Sequence, residues 1–270
     1  GANIELVEMA VDDSWCRDSG PSFVCHPQHG LAGLSWRFNA WGGKSQHGQD
    51  RSLGRRILDH LGLDGFSTAL CNEGGAIHVD GEGTLITTES VLLNPNRNPG
   101  VSKAEFEACF ARYLGIRKTI WLPGDPQYIT GDMTDGHVDG VCAFARPGVL
   151  LVDATHDQHS VYAEVVRENR RALELATDAQ GRHFELLDLY EASAAVDQDA
   201  EVFCASYTNF YIANGAIIMP AYGIAADQEA AAQLAHAFPG REIVPVRIDH
   251  IAHGGGGIHC ITQQQPEVQP

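Results

Sequence analysis

The 270-residue sequence predicts an α+β fold built by radial repetition, of the kind that makes propellers. Three observations predict it. Four helix-like segments recur at intervals of roughly 50–70 residues, a period that points to a repeated architecture. A pair of short strands around a glycine-containing turn precedes each segment, and a single strand follows it. With 44% hydrophobic residues the chain can bury a large core, which excludes intrinsic disorder.

The first unit opens with Phe23 to His26 and Leu31 to Phe38 around a turn at Pro27 to Gly30. Its helix, Asp50 to Leu61, carries Leu53, Ile57, Leu58 and Leu61 at helical spacing. In the second unit, Ala76 to Asp80 and Thr84 to Thr88 flank Gly81-Glu82-Gly83. The helix Lys103 to Leu114 follows, with Ser102 and Glu105 in capping-box spacing, and then the strand Thr119 to Leu122. The third unit has Val138 to Ala145 and Val149 to Asp153, a helix over Ser160 to Thr177 and a strand over Phe184 to Leu189. The fourth has Ser206 to Ile212 and Ala216 to Met219, then an alanine-rich helix from Ala226 to Phe238 stopped by Pro239-Gly240. Glu242 to Ile248 is its closing strand. Two fragments are left over: Ile4 to Glu8 reads as a last strand with no unit before it, and Ile258 to Gln263 as a first strand with none after it. Together they read as halves of a fifth unit, and a chain starting Gly1-Ala2 without Met is expected to have lost an N-terminal portion.

Eighteen basic against 35 acidic residues give a net charge of −17, which disfavours nucleic acid and anionic lipid and favours a cationic partner. The most apolar stretch, Phe210 to Ala226, is broken by Asn214, Gly215, Pro220 and Gly223 and is too short to span a bilayer. The seven cysteines are scattered, with no C-x-x-C, so neither a zinc module nor a disulfide framework is expected. Reduced cytoplasm is the expected setting.

Glycine-rich polar clusters stand before the hairpins: Arg17 to Gly20, Glu73 to Gly75, Gly136 to Gly140, and Gly254 to Gly257 leading into Ile258-His259-Cys260. Around an axis these would converge, gathering carboxylates, a histidine and a thiol in one pocket. His137 and Asp139, two apart on an expected strand, share a face, whereas the similar His78-Val79-Asp80 beside a turn is expected to face solvent. Cys260 follows four glycines, a run that destabilises a strand unless something must approach closely. A phosphate loop does not fit, since no Lys-Ser/Thr or helix follows, and adjacent His259 and Cys260 would point to opposite faces, which disfavours zinc. Two chemistries fit a thiol, a histidine and several acids: amide hydrolysis by a Cys–His pair, or attack on a planar cation held by carboxylates. The surplus of acids, Asp18 and Glu73 beyond Asp139, favours the cation.

These motifs resemble the agmatine deiminase family. They are Trp15-Cys16-Arg17-Asp18-Ser19-Gly20-Pro21, Phe38-Asn39-Ala40-Trp41-Gly42-Gly43, Glu73-Gly74-Gly75-Ala76-Ile77-His78-Val79-Asp80, Thr134-Asp135-Gly136-His137-Val138-Asp139-Gly140, and the run Gly254 to Gln264. The resemblance covers nearly the whole chain, in order. It implies the pentein fold, a pseudo-fivefold α/β propeller of strand–strand–helix–strand units, and one guanidine-modifying catalytic domain over residues 1–270 that lacks an N-terminal unit. It also implies hydrolysis of agmatine to N-carbamoylputrescine and ammonia, with no metal and no cofactor. By position, Cys260 is the nucleophile, His137 the general acid/base and Glu73 the carboxylate that orients it. Asp18 and Asp139 grip the guanidinium. Independently of the resemblance, Trp15, Trp41 and Trp121 are candidates to wall the aliphatic stem or stack on the cation, and Gly256 is a candidate substrate contact.

Two departures stand out. Gly257 occupies a position where the family often has Asn, so a side-chain contact there is expected to be absent or replaced by water. Part of one unit is expected to be missing from this chain, leaving a ring to be completed by a longer version or another polypeptide, with open strand edges expected meanwhile. The expected partner is a small cationic guanidine, with neither nucleic acid nor membrane, and a homodimer is the expected assembly. The rivals are an arginine or peptidyl-arginine deiminase, an amidinotransferase, and a polyamine-binding relic without catalysis. An arginine site would need a basic residue for the carboxylate, for which Arg17, Arg37, Arg97 and Arg247 are the candidates.

Overall fold

A computed structural model describes residues 4–196 and 202–267. Four three-stranded sheets follow one another along the chain, each a hairpin joined through a helix to a third strand. They comprise β1 (Ser22–His26), β2 (Gly30–Arg37) and β3 (Asp64–Cys71); β4 (Ile77–Val79), β5 (Thr84–Thr88) and β6 (Lys118–Leu122); β7 (Cys142–Arg146), β8 (Val149–Ala154) and β9 (Glu185–Tyr190); and β10 (Tyr211–Ala213), β11 (Ala216–Ala221) and β12 (Glu242–Arg247). The first two strands of each sheet are antiparallel and the last two parallel, because the crossover between them is a helix. Those helices are α1 (Leu53–Leu61), α2 (Lys103–Leu114), α3 (Val161–Leu175) and α4 (Ala226–Ala237). Helix α2 begins with the reciprocal Ser102–Glu105 capping box and stops at Gly115 in the left-handed conformation.

The middle strands explain why no clean alternation marks them in the sequence. Every residue of β5 and β8 is buried, since successive side chains enter different cores. Leu85 joins the core of Leu34, Trp36, Phe106 and Phe110, while Ile86 joins that of Leu122, Phe144 and Leu150. Leu151, between Leu150 and Val152, turns into a third core with Leu189, Ile217, Met219 and Leu234. Each core thus lies between two neighbouring units and fixes their relative placement. Among the described residues no helix is long and apolar enough to cross a membrane.

Several expected strands are not strands. Ile4 to Glu8 lies outside any sheet with Leu6 94% exposed, having no described strand to pair with. Ile258 to Gln263 forms a turn, in which Thr262 N–H bonds the His259 carbonyl and its hydroxyl reaches the Ile258 carbonyl. Its remaining backbone groups pair with other loops: His259 N–H with the Asn209 carbonyl, and the Cys260 carbonyl with Arg17 N–H, both at 3.0 Å. Val138–Gly140 is a 3₁₀ turn rather than part of β7, so His137 and Asp139 do not share a strand face. Gly74–Ala76 is likewise a 3₁₀ turn preceding β4.

Candidate active site

The segments before the hairpins meet at one point. Asp18 lies on the one-turn helix Cys16–Ser19, Glu73 starts the Gly74–Ala76 turn, His137 starts the Val138–Gly140 turn, and Cys260 sits in the closing turn. Gly75 is at their centre. A Cβ on it would stand 2.6 Å from His137 Nδ1 and 2.9 Å from both Asp139 Oδ2 and Asp18 Oδ1. Without a side chain, its N–H instead donates to Asp18 Oδ1 at 2.9 Å.

His137 is clasped by carboxylates. Its Nε2 is 3.0 Å from Glu73 Oε2, and its Nδ1 lies 3.8 Å from Asp18 Oδ1 with no hydrogen-bond partner. Burial disfavours a charged imidazole, yet Asp18 and Glu73 more than offset it and push His137 up to about 9. Arg97 holds Glu73 from behind, its Nε within 2.9 and 3.0 Å of the two carboxylate oxygens, and its Nη1 pairs with Asp135. Burial would raise Glu73, but His137 and Arg97 keep it below the ordinary carboxylate range.

On the other side, His259 Nδ1 is 2.7 Å from Asp139 Oδ2. Burial and the Arg17 charge lower His259, so it is a neutral ring donating to an ionised Asp139. The Cys260 thiol is 4.0 Å from Asp139 Oδ2 and 3.4 Å from Asn209 Oδ1. Burial, reinforced by Asp139 and Asp18, lifts that thiol well above its usual range. A cavity of about 450 Å³ opens onto Cys260, His137 and Asp139.

A cavity lined by a thiol, an imidazolium and the ionised Asp139 suits attack on a cation, and the comparisons agree. The family described as Porphyromonas-type peptidyl-arginine deiminase matches residues 2–266. The chain belongs to this deiminase family. It is 41% identical over 302 residues to the agmatine deiminase of Medicago truncatula, across 98% of this chain and 79% of that protein. The agmatine deiminase of Ectopseudomonas mendocina is 42% identical over 290 residues, across 99% and 78%. The solved agmatine deiminase of Enterococcus faecalis superposes with a TM-score of 0.91 at 36% identity, over 97% of this chain and 77% of that one. The four sheets are therefore units of a pentein fold.

The residues singled out in this deiminase-family chain do not all reach the cavity. His137, Asp139 and Cys260 line it, with Asp18 and Glu73 set behind them. Trp41 is not among the described lining residues; its Nε1 donates to Asp18 Oδ2 at 2.9 Å. Ala40 and Trp41 both adopt positive φ near 54° to reach that pose, backbone strain of the kind found at functional sites. Trp15 packs against the glycine run, since a Cβ on Gly256 would lie 2.4 Å and one on Gly254 2.8 Å from its ring. The close approach that the glycines allow is thus made by an indole, and Gly256 itself faces Trp15. A Cβ on Gly257 would meet Asn209 Oδ1 at 2.6 Å, so another side chain, rather than water, fills that place. His78 is not solvent-facing. Its ring stacks on His259 at 6.1 Å, and burial, with His259 adding, drops it to about 3.

Arg97, Asp135, Asn209 and the His259–Asp139 bond escape sequence reasoning as members of the site. Asn209 had a usable signal, because it precedes the fourth hairpin as Asp18 precedes the first. Arg97 had none.

Proposed function

We propose that this chain hydrolyses agmatine to N-carbamoylputrescine and ammonia through a covalent Cys260 intermediate. The observation that carries this reading is His137, protonated between Glu73 and Asp18 and lining the same cavity as the Cys260 thiol. The relatives named agmatine deiminase support the substrate. So does the wall: the described lining residues include five carboxylates and no Lys or Arg. Arg97 is spent on Glu73 and Asp135, Arg37 on the Arg97 carbonyl, and Arg247 on Asp249, while Arg17 Nε donates to the His259 carbonyl. Arg17 keeps a buried Nη2 without a partner, but neither it nor the others line the described cavity, so an arginine carboxylate meets no cation there and a dication fits better.

Asp139 in the wall, with Asp18 behind it, holds the guanidinium, whose charge offsets the acids that keep Cys260 a thiol. The thiol proton leaves to solvent and the thiolate attacks the guanidinium carbon. His137 donates its proton to the departing nitrogen, which leaves as ammonia. The resulting amidino-thioester is attacked by water that the now neutral His137 deprotonates, and collapse of the second adduct releases the ureido product and the thiolate. Glu73, fixed by Arg97, keeps the ring in position through both steps. The free thiols suit a reducing, cytoplasmic setting.

The test is ammonia release from agmatine, with arginine alongside. The expected result is turnover of agmatine that disappears in Cys260→Ser; equal turnover in that variant would overturn the covalent route. A second expectation concerns pH. His137 must enter the first step protonated, so kcat should fall as pH rises through about 9, the value to which it is lifted from 6.5. Its raised value also means that the protonated cluster contributes stability fully below pH 6.5 and loses it towards pH 9. Denaturation midpoints across that interval should therefore decline; a flat profile in both measurements would assign the proton elsewhere.

A further inference from the structure

The cavity does not end at the thiol. Its wall also carries the apolar side chains of Val141, Val152 and Val165 and a second acidic group, Asp153 and Glu191. These residues stand at the carboxyl ends of the parallel strands β8 and β9, where Glu191 N–H bonds the Ala154 carbonyl at 2.9 Å. Ligands characteristically bind beyond such strand ends. Asp153 is 2% exposed. Its Oδ2 accepts from the Tyr162 hydroxyl at the start of α3, but its buried Oδ1 has no hydrogen-bond partner. The Ser206 hydroxyl, which also meets Thr208 at 2.6 Å, is the other polar group beside Asp153 and lowers it slightly against burial. Other acids of the same wall are saturated: Asp125 accepts from the Ile129 and Thr130 N–H groups, and Asp132 from those of Thr134 and Gly136. Among the described residues no basic side chain bonds Asp153 or Glu191.

We propose that Asp153 and Glu191 form the far end of the substrate site and receive a primary ammonium tethered by a short methylene chain to the reacting guanidinium. The inference rests on the reading of Cys260 as the guanidine-attacking group, and it adds the residues that select the tail. A buried carboxylate oxygen without a donor is destabilising, and an ammonium, with three N–H groups, can serve Asp153 Oδ1 and Glu191 together. The valines of the same wall suit a methylene stem and offer nothing to a carboxylate. Burial, with Glu191 adding to it, also raises Asp153 well above the ordinary carboxylate range, so an arriving ammonium exchanges its charge for a proton.

The test compares agmatine with n-pentylguanidine, in which a methyl group replaces the ammonium. Wild-type protein should prefer agmatine in kcat/KM, and Asp153→Asn should cut that preference by about 30-fold or more while leaving n-pentylguanidine unchanged. Glu191→Gln, at a half-buried position, should move it in the same direction and serves if Asp153→Asn does not fold. An unchanged preference in the folded variants, or an equal loss for both guanidines, would overturn the proposal. Should wild-type protein hydrolyse neither compound, the catalytic reading fails by itself. The tail site is then judged by calorimetric binding of both compounds to the protein and its variants, with the same preference as criterion.

Discussion

Alanine at position 75 is expected to lower kcat/KM for agmatine by about 100- to 10,000-fold, the range associated with a positioned acid–base group. The added methyl would stand 2.6 Å from His137 Nδ1 and 2.9 Å from Asp18 and Asp139 oxygens, so all three must move apart. None is the free end of a flexible chain: His137 is tied to Glu73, Asp139 to His259, and Asp18 to Trp41. The backbone at Gly75 does not require positive φ, so alanine introduces crowding rather than backbone strain. Overpacking of this kind costs about 1–3 kcal/mol of stability. Steady-state kinetics beside a denaturation curve separates the two effects. A folded variant with wild-type turnover would mean that the convergence on Gly75 is incidental.

Arg97→Leu is expected to have the largest effect on stability, a loss of about 3–5 kcal/mol, because it takes the bidentate cation from buried Glu73 and leaves Asp135 with Lys44 as its remaining cation. Arg97 is 1% exposed and fills the space between Glu73 and Asp135. Arg97→Lys should fall between the two, restoring a charge but not the fork that meets both oxygens of Glu73. The sign of the pH dependence follows from the same contacts. Wild-type Glu73 and Asp135 are held below the ordinary range, so their contribution is present above it and is lost as pH falls. The deficit of Arg97→Leu should therefore shrink in acid. Urea denaturation at two pH values measures it, and a deficit independent of pH would point to lost packing alone.

The repeat was legible because helices and turns announce themselves locally. Ser102 and Glu105 marked the start of α2 within one residue, and glycine turns marked each hairpin. The convergence of polar clusters followed from the repeat. What sequence could not supply was the partner of each group. The segment after the four glycines looks like a strand from its apolar pattern. It turns instead because Arg17 and Asn209, far away in sequence, take up its backbone groups. His78 beside Asp80 resembles a surface pair, and only the packing of β4 against the closing turn brings its ring over His259. Arg97 illustrates the limit. No motif surrounds it, and its role depends on two acids more than 20 residues away in opposite directions.

The bond between Arg17 N–H and the Cys260 carbonyl joins residues 243 positions apart. A chain emerging from the ribosome N-terminus first can fold its early units around their local hairpins well before that contact exists. It cannot assemble the reactive centre until residue 260 has been made, because the thiol and the last ligand of Asp139 arrive together. A chain made N-terminus first therefore presents Asp18, Glu73, His137 and Asp139 before His259 and Cys260, and the cluster closes only when the last turn has been added.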